Sequence, residues 1–118
     1  MSEKDKPIVV RIRLLGFLEP YANSGNVTLE ASVGCTVEEI ILNMVSQLGE
    51  DFRLALLDSH GNLNGGIEVV LDGEHISPYQ LSSRFFYGDS ELILFPMIAG
   101  GSIDAIIGIT EYKGDYYV

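Results

Sequence analysis

The stretch Glu91–Gly101, E-L-I-L-F-P-M-I-A-G-G, constrains the fold of this chain more than any other. Glu91, Ile93 and Phe95 alternate with Leu92, Leu94 and Pro96, and most of both sets are apolar. That pattern predicts a strand buried on both faces. Pro96 removes a backbone donor, so ladder pairing is expected to stop there. Beyond it the side chains shrink, through Ala99 to Gly100 and Gly101. What leaves the strand is slim, flexible and able to enter a channel where any Cβ would clash.

Upstream, Ile8–Leu15 sets Val10, Ile12 and Leu14 against Arg11 and Arg13, the period of two of a half-buried strand. Gly16–Gly25 holds Pro20, Asn23 and Ser24 and reads as a loop. Asn26–Ala31 alternates again, so the two runs form an opening hairpin. Thr36 with Glu39 makes a capping box, in which each side chain satisfies a backbone donor at a helix start. Val37, Ile40, Ile41, Met44, Val45 and Leu48 then recur at helical spacing as a core-facing stripe, closed by Gly49. Asp51–Leu57 is a short helix or helical turn, and Asp58–Gly66 a turn-rich loop. Asp72-Gly73 predicts a tight hairpin between Gly66–Leu71 and His75–Ile76. Ser77–Ser83 reads as a 3₁₀ or turn segment, and Gly88-Asp89 turns the chain into the final strand.

The order is therefore strand, strand, helix, short strands, final strand. It predicts an α+β domain with a mixed four- to five-stranded sheet and one main helix packed on one face. A right-handed crossover places the last strand beside the first. This is the arrangement of a ubiquitin-like β-grasp.

Three motifs carry a resemblance to a known family. The final strand runs into F-P-x-[IV]-A-G-G at Phe95–Gly101, which resembles the ending of the MoaD/ThiS sulfur carriers. That family is ubiquitin-like and includes the ubiquitin-related modifiers and the small archaeal modifier proteins. Val69–Glu74, V-x-L-D-G-E, resembles the family's internal hairpin, and Gly61–Ile67, G-x-L-x-x-G-I, resembles the lead-in of MoaD-like members. The resemblance covers residues 8–101, with 1–7 as a leader and 102–118 as a C-terminal extension.

The resemblance implies that the reactive group is the carboxylate of Gly101, with no catalytic residue of the chain's own. An adenylating enzyme of the ubiquitin-activating type, which binds the ATP, would activate it. The product would be a thiocarboxylate, for sulfur transfer, or an isopeptide bond to a target-protein lysine. Gly100 would allow threading of the tail, and Phe95, Pro96, Met97, Ile98 and Ala99 would meet the activating enzyme or an acceptor such as the large subunit of molybdopterin synthase. Seventeen residues follow Gly101, however. The carrier reading therefore needs cleavage between Gly101 and Ser102, for which zinc-dependent JAMM-type peptidases are candidates by resemblance. The alternative is a non-catalytic β-grasp interaction module with an uncleaved tail, similar to certain phage tail-assembly proteins.

Composition narrows the remaining classes. A chain of 118 residues fits one domain and buries roughly 65% of its unfolded surface. Seventeen acidic against seven basic residues, a formal net charge of −10, disfavours nucleic-acid binding and favours basic protein partners or basic pockets. The single Cys35 excludes an internal disulfide and fits a reducing cytoplasm. No apolar run approaches the roughly 20 residues of a membrane span. His60 and His75 have no cysteine pair nearby, so no metal site is expected. Cys35 precedes a helix N-terminus, where the dipole could lower its pKa, but the preferred reading is a packed small residue. No nucleophile elbow or phosphate-binding glycine loop appears, so the chain reads as neither an enzyme nor a holder of cofactors. Residues 7–112 contain no lysine.

Overall fold

Alternation builds the first two strands. In the computed structural model, which describes residues 6–97, β1 (Pro7–Leu14) buries Ile8, Val10, Ile12 and Leu14 and exposes Arg11. It pairs antiparallel with β2 (Asn26–Ser32), from Pro7 opposite Ser32 to Arg13 opposite Asn26. The strand thus begins at Pro7, one residue before the sequence placed it. Between β1 and β2 the expected loop contains a 3₁₀ helix, Gly16–Tyr21, whose Leu18 is fully buried. Turn-forming composition hid this segment, because only Leu18 of its six residues enters the core and one core position sets no period. Tyr21 holds it to the core through the Phe52 ring, 5.6 Å away centroid to centroid.

Helix α1 (Val37–Leu48) starts at the expected cap. Thr36 Oγ1 accepts from the Glu39 N–H at 3.1 Å, and Glu39 Oε1 accepts from the Thr36 N–H at 2.9 Å. Two otherwise orphaned donors are satisfied together. The stripe Val37, Ile40, Ile41, Met44 and Val45 is buried. Gly49, at φ 99°, ends α1 with its N–H on the Val45 carbonyl and accepts the Arg53 N–H, which starts α2 (Glu50–Leu56). Phe52 and Leu56 of α2 are buried completely. Truncating Phe52 to Ala would remove roughly 3–5 kcal/mol of stability.

The β3 (Ile67–Leu71) and β4 (Glu74–Ile76) strands form the expected hairpin. Asp72 at φ 47° and Gly73 at φ 86° give it the two positive-φ positions of a type I′ turn. A 3₁₀ turn, Pro78–Gln80, follows as the sequence indicated. The last strand, β5 (Ser90–Pro96), pairs parallel with β1 and antiparallel with β3, so the sheet order is β2-β1-β5-β3-β4. Two aspartates fix its entry. Asp89 Oδ1 accepts from the Val9 N–H and Asp72 Oδ1 from the Glu91 N–H, each at 2.8 Å.

β5 is central in the sheet and apolar on both faces. Leu92 and Leu94 join the main core, which also holds every buried side chain of α1 and α2. Ile93 and Phe95 point to the other face and form a separate cluster with Val70, against which Leu15 and Met97 pack. The five-stranded mixed sheet with helices packed on it is a ubiquitin-like β-grasp.

Candidate functional site

The site to be positioned is the point where β5 hands the chain on. Phe95 is 3% exposed and belongs to the outer cluster, so it offers almost no surface. Pro96 and Met97 are half-buried. Ile98, Ala99, Gly100, Gly101 and Ser102 lie outside the described residues, as does the 102–118 extension.

Pro96 is the last residue of β5, and the ladder ends there as expected, with one further backbone bond beyond it. It stands opposite Ile67, and the Met97 N–H donates to the Gly66 carbonyl at 2.6 Å. The missing donor is harmless because of its direction. Successive residues of a strand aim their amides to opposite sides, so if Met97 donates towards β3, Pro96 faces β1. There β1 has already ended: its last bond to β5 is the Leu15 N–H on the Leu94 carbonyl, and the chain turns at Gly16. Gly16, at φ 61°, is placed so that a Cβ would lie 2.7 Å from Pro96 Cγ. The proline ring therefore seats on a glycine, and the exit is clamped from both neighbouring strands.

Sequence reasoning missed two contributors to this clamp. Gly66, read as part of a plain loop, supplies the carbonyl that holds Met97 and adopts φ 88°. Gly16 was taken only as a loop marker. Neither shows a signal without the register of β3 and β5. Beside the outer cluster, His75 Nε2 lies 2.6 Å from Glu68 Oε1, a cross-strand pair at its edge.

Cys35 is the packed residue that the sequence favoured, not a thiolate lowered by the helix dipole. Its thiol is pushed up from the ordinary value, first by burial and then by the Glu39 carboxylate, which outweigh its own backbone hydrogen bond. A raised pKa disfavours the thiolate, and the side chain packs half-buried against the main core. The neighbouring backbone is pinned, with the Phe86 N–H on the Cys35 carbonyl at 2.8 Å. A groove of about 330 Å³ between α1 and the Pro78–Gln80 turn is lined by Glu38, Ile41, Leu42 and Tyr79 among others, without a nucleophile–base pair. Among the described residues no group of three or more His, Cys, Asp and Glu could hold a metal ion. No described helix is long and apolar enough to cross a membrane.

A mixed five-stranded sheet with a central last strand and helices packed on one face is the ubiquitin-like β-grasp fold. Solved structures agree on the fold, and those it resembles are ubiquitin-like proteins of the MoaD/ThiS type. The crystal structure of SAMP1 from Haloferax volcanii superposes with a TM-score of 0.66 at 24% identity, over 79% of this chain and 99% of that one. Urm1 from Trypanosoma brucei gives 0.64 at 14% identity, over 86% and 100%. A putative molybdopterin converting factor subunit 1 from Pyrococcus furiosus gives 0.59 at 13%, over 77% and 99%. No protein-family model matches the sequence, and no curated protein does.

Proposed function

We propose that the chain is the precursor of a ubiquitin-like carrier or modifier whose working end is the carboxylate of Gly101. A peptidase, JAMM-type by resemblance, would remove residues 102–118. A ubiquitin-activating-type enzyme in the cytoplasm would then adenylate Gly101 with its own bound ATP. The adenylate would be converted to a thiocarboxylate for an acceptor such as molybdopterin synthase, or captured by a target-protein lysine. Ile98 to Gly100 would be the threading segment, with Pro96 and Met97 as the adjoining contact surface.

The observation that carries this reading is the clamp on β5. The strand is central and bonded through Met97, and Gly101 follows only four residues later. An anchored strand end close to Gly101 confines where that terminus can reach, which lowers the ordering cost of binding. The SAMP1-like body accounts for 79% of the chain, leaving length for an extension.

Intact mass spectrometry on protein from its native cells tests the reading. A species ending at Gly101, with sulfur in place of one carboxylate oxygen or joined to a lysine, supports it and separates carrier from modifier. Recovery of the chain only through Val118 would overturn it. The uncleaved interaction module then becomes the reading.

A further inference from the structure

We propose that the groove between α1, the loop after α2 and the Pro78–Gln80 turn docks a basic partner protein. It would take one apolar side chain of that partner on its floor and a neighbouring lysine or arginine on Glu38. The floor includes Ile41 and Leu57, 3% and 8% exposed and both part of the main core. Leu42 and Tyr79 line the same groove and are 50% and 90% exposed. A lone exposed leucine is ordinary surface, but a leucine and a tyrosine on one apolar cleft have the composition of an interface anchor. The volume, about 330 Å³, lies at the small end of ligand pockets and suits a single side chain of a larger partner.

The walls are fixed before any partner arrives. A helix start leaves its first N–H groups without acceptors inside the helix. Here the Val37 and Glu38 N–H groups donate to the Arg84 and Leu81 carbonyls at 3.0 and 2.9 Å, which ties α1 to the segment that carries Tyr79. Gln80 Oε1 accepts from the Ser77 N–H at 2.9 Å, so Tyr79 stands on a capped turn. On the loop side, Asp58 Oδ1 accepts from the His60 and Asn62 N–H groups, and the Asp58 N–H donates to the Asn62 carbonyl. A groove held in this way leaves little backbone to order on binding.

Charge selects the occupant. Glu38 is the one charged residue among those lining the groove, and its carboxylate has no hydrogen bond or ion pair among the described residues. Arg53 and Arg84, by contrast, already pair with Glu50 and Glu74. A second copy would bring another net charge of −10 to a chain of the same charge, so the complement is a different, basic protein. None of the lining residues belongs to the end of β5, so the docking site is independent of the processing proposed above.

Panning a random peptide library displayed on phage against the full 118-residue chain tests it. Enriched peptides should place a lysine or arginine beside an apolar residue. The most enriched one, synthesised and titrated by NMR, should shift the amides of Leu42, Asn62 and Tyr79 and leave those of β1 unchanged. Tyr79→Ala should weaken its binding about tenfold and Glu38→Gln about threefold. Added salt should weaken binding to the natural chain more than to Glu38→Gln. Leu54→Ala, at a leucine 59% exposed on α2 but outside the groove, should change nothing. No enrichment, enriched peptides without a basic residue, shifts confined to another surface, or equal effects of Tyr79→Ala and Leu54→Ala would overturn the proposal. So would sedimentation of the free chain as a dimer that Tyr79→Ala dissociates, which assigns the groove to a second copy.

Discussion

Gly16 and Pro96 are 80 residues apart in sequence and in contact: a Cβ built on Gly16 meets Pro96 Cγ at 2.7 Å and Cδ at 2.9 Å. The contact joins the end of β1 to the end of β5. Gly16 also holds φ 61°, where L side chains are strained.

Gly16→Ala should therefore lose stability twice over, by backbone strain and by displacement of the ring, about 1–3 kcal/mol in total. Gly73→Ala, at φ 86° with nothing within 4 Å of its Cβ, isolates the strain and should lose less. Urea unfolding of both variants measures the difference. Equal losses would show that the Pro96 contact contributes nothing.

Thr36→Ala removes the acceptor for the Glu39 N–H and should destabilise by about 1 kcal/mol, with Thr36→Ser restoring most of it. The midpoint of denaturation should fall while its slope is kept, since the surface exposed on unfolding hardly changes.

The thiol of Cys35 should react sluggishly. Because its folded pKa is raised by burial and by Glu39, alkylation at mildly alkaline pH is expected to be slower in the folded chain than in the unfolded one. The stability linked to this group is fully present below the unfolded thiol pKa, about 8.5, and is lost as pH rises through the folded value. Glu39→Gln keeps the capping geometry and removes a charge, so the pH midpoint of alkylation by iodoacetamide should move down. An unchanged midpoint would leave burial as the whole cause.

If Gly101 is joined to amines, copies of this chain cannot be linked through side chains of the folded body. Lysine occurs only at positions 4, 6 and 113. After removal of the extension, any branched peptide between two copies should map to Lys4 or Lys6, and Lys4→Arg with Lys6→Arg should eliminate it. Peptide mapping of conjugates checks this, with Gly101→Ala as the variant expected to fold normally and fail at activation.

Local patterns reveal the parts of this protein whose physics is local. The capping box at Thr36 and Glu39, the helical stripe of α1 and the Asp72-Gly73 turn all involve residues within one or two turns of each other. Their spacing alone predicts what forms. The alternation of Ile93 and Leu94, both apolar, likewise predicts a strand buried on both faces. The 3₁₀ helix at Gly16–Tyr21 was not legible, because Leu18 alone in a turn-rich stretch is a single point without a period. The glycine ending and its resemblance suggested the site, while nothing in Gly16 or Gly66 announced that they hold it.

The sequence by itself determined the element order, the helix cap and a last strand with no wet face, since hydrophobic period and turn chemistry act between near neighbours. Only the tertiary structure decided that the proline ending that strand leaves room for one more backbone bond, from Met97 to Gly66. The lost donor matters only if a partner strand lies on its side, and β1 has already turned away there. The fate of Cys35 was decided in the same way: the helix start is local and argues for a thiolate, but the packing around the thiol and the carboxylate of Glu39 set its charge.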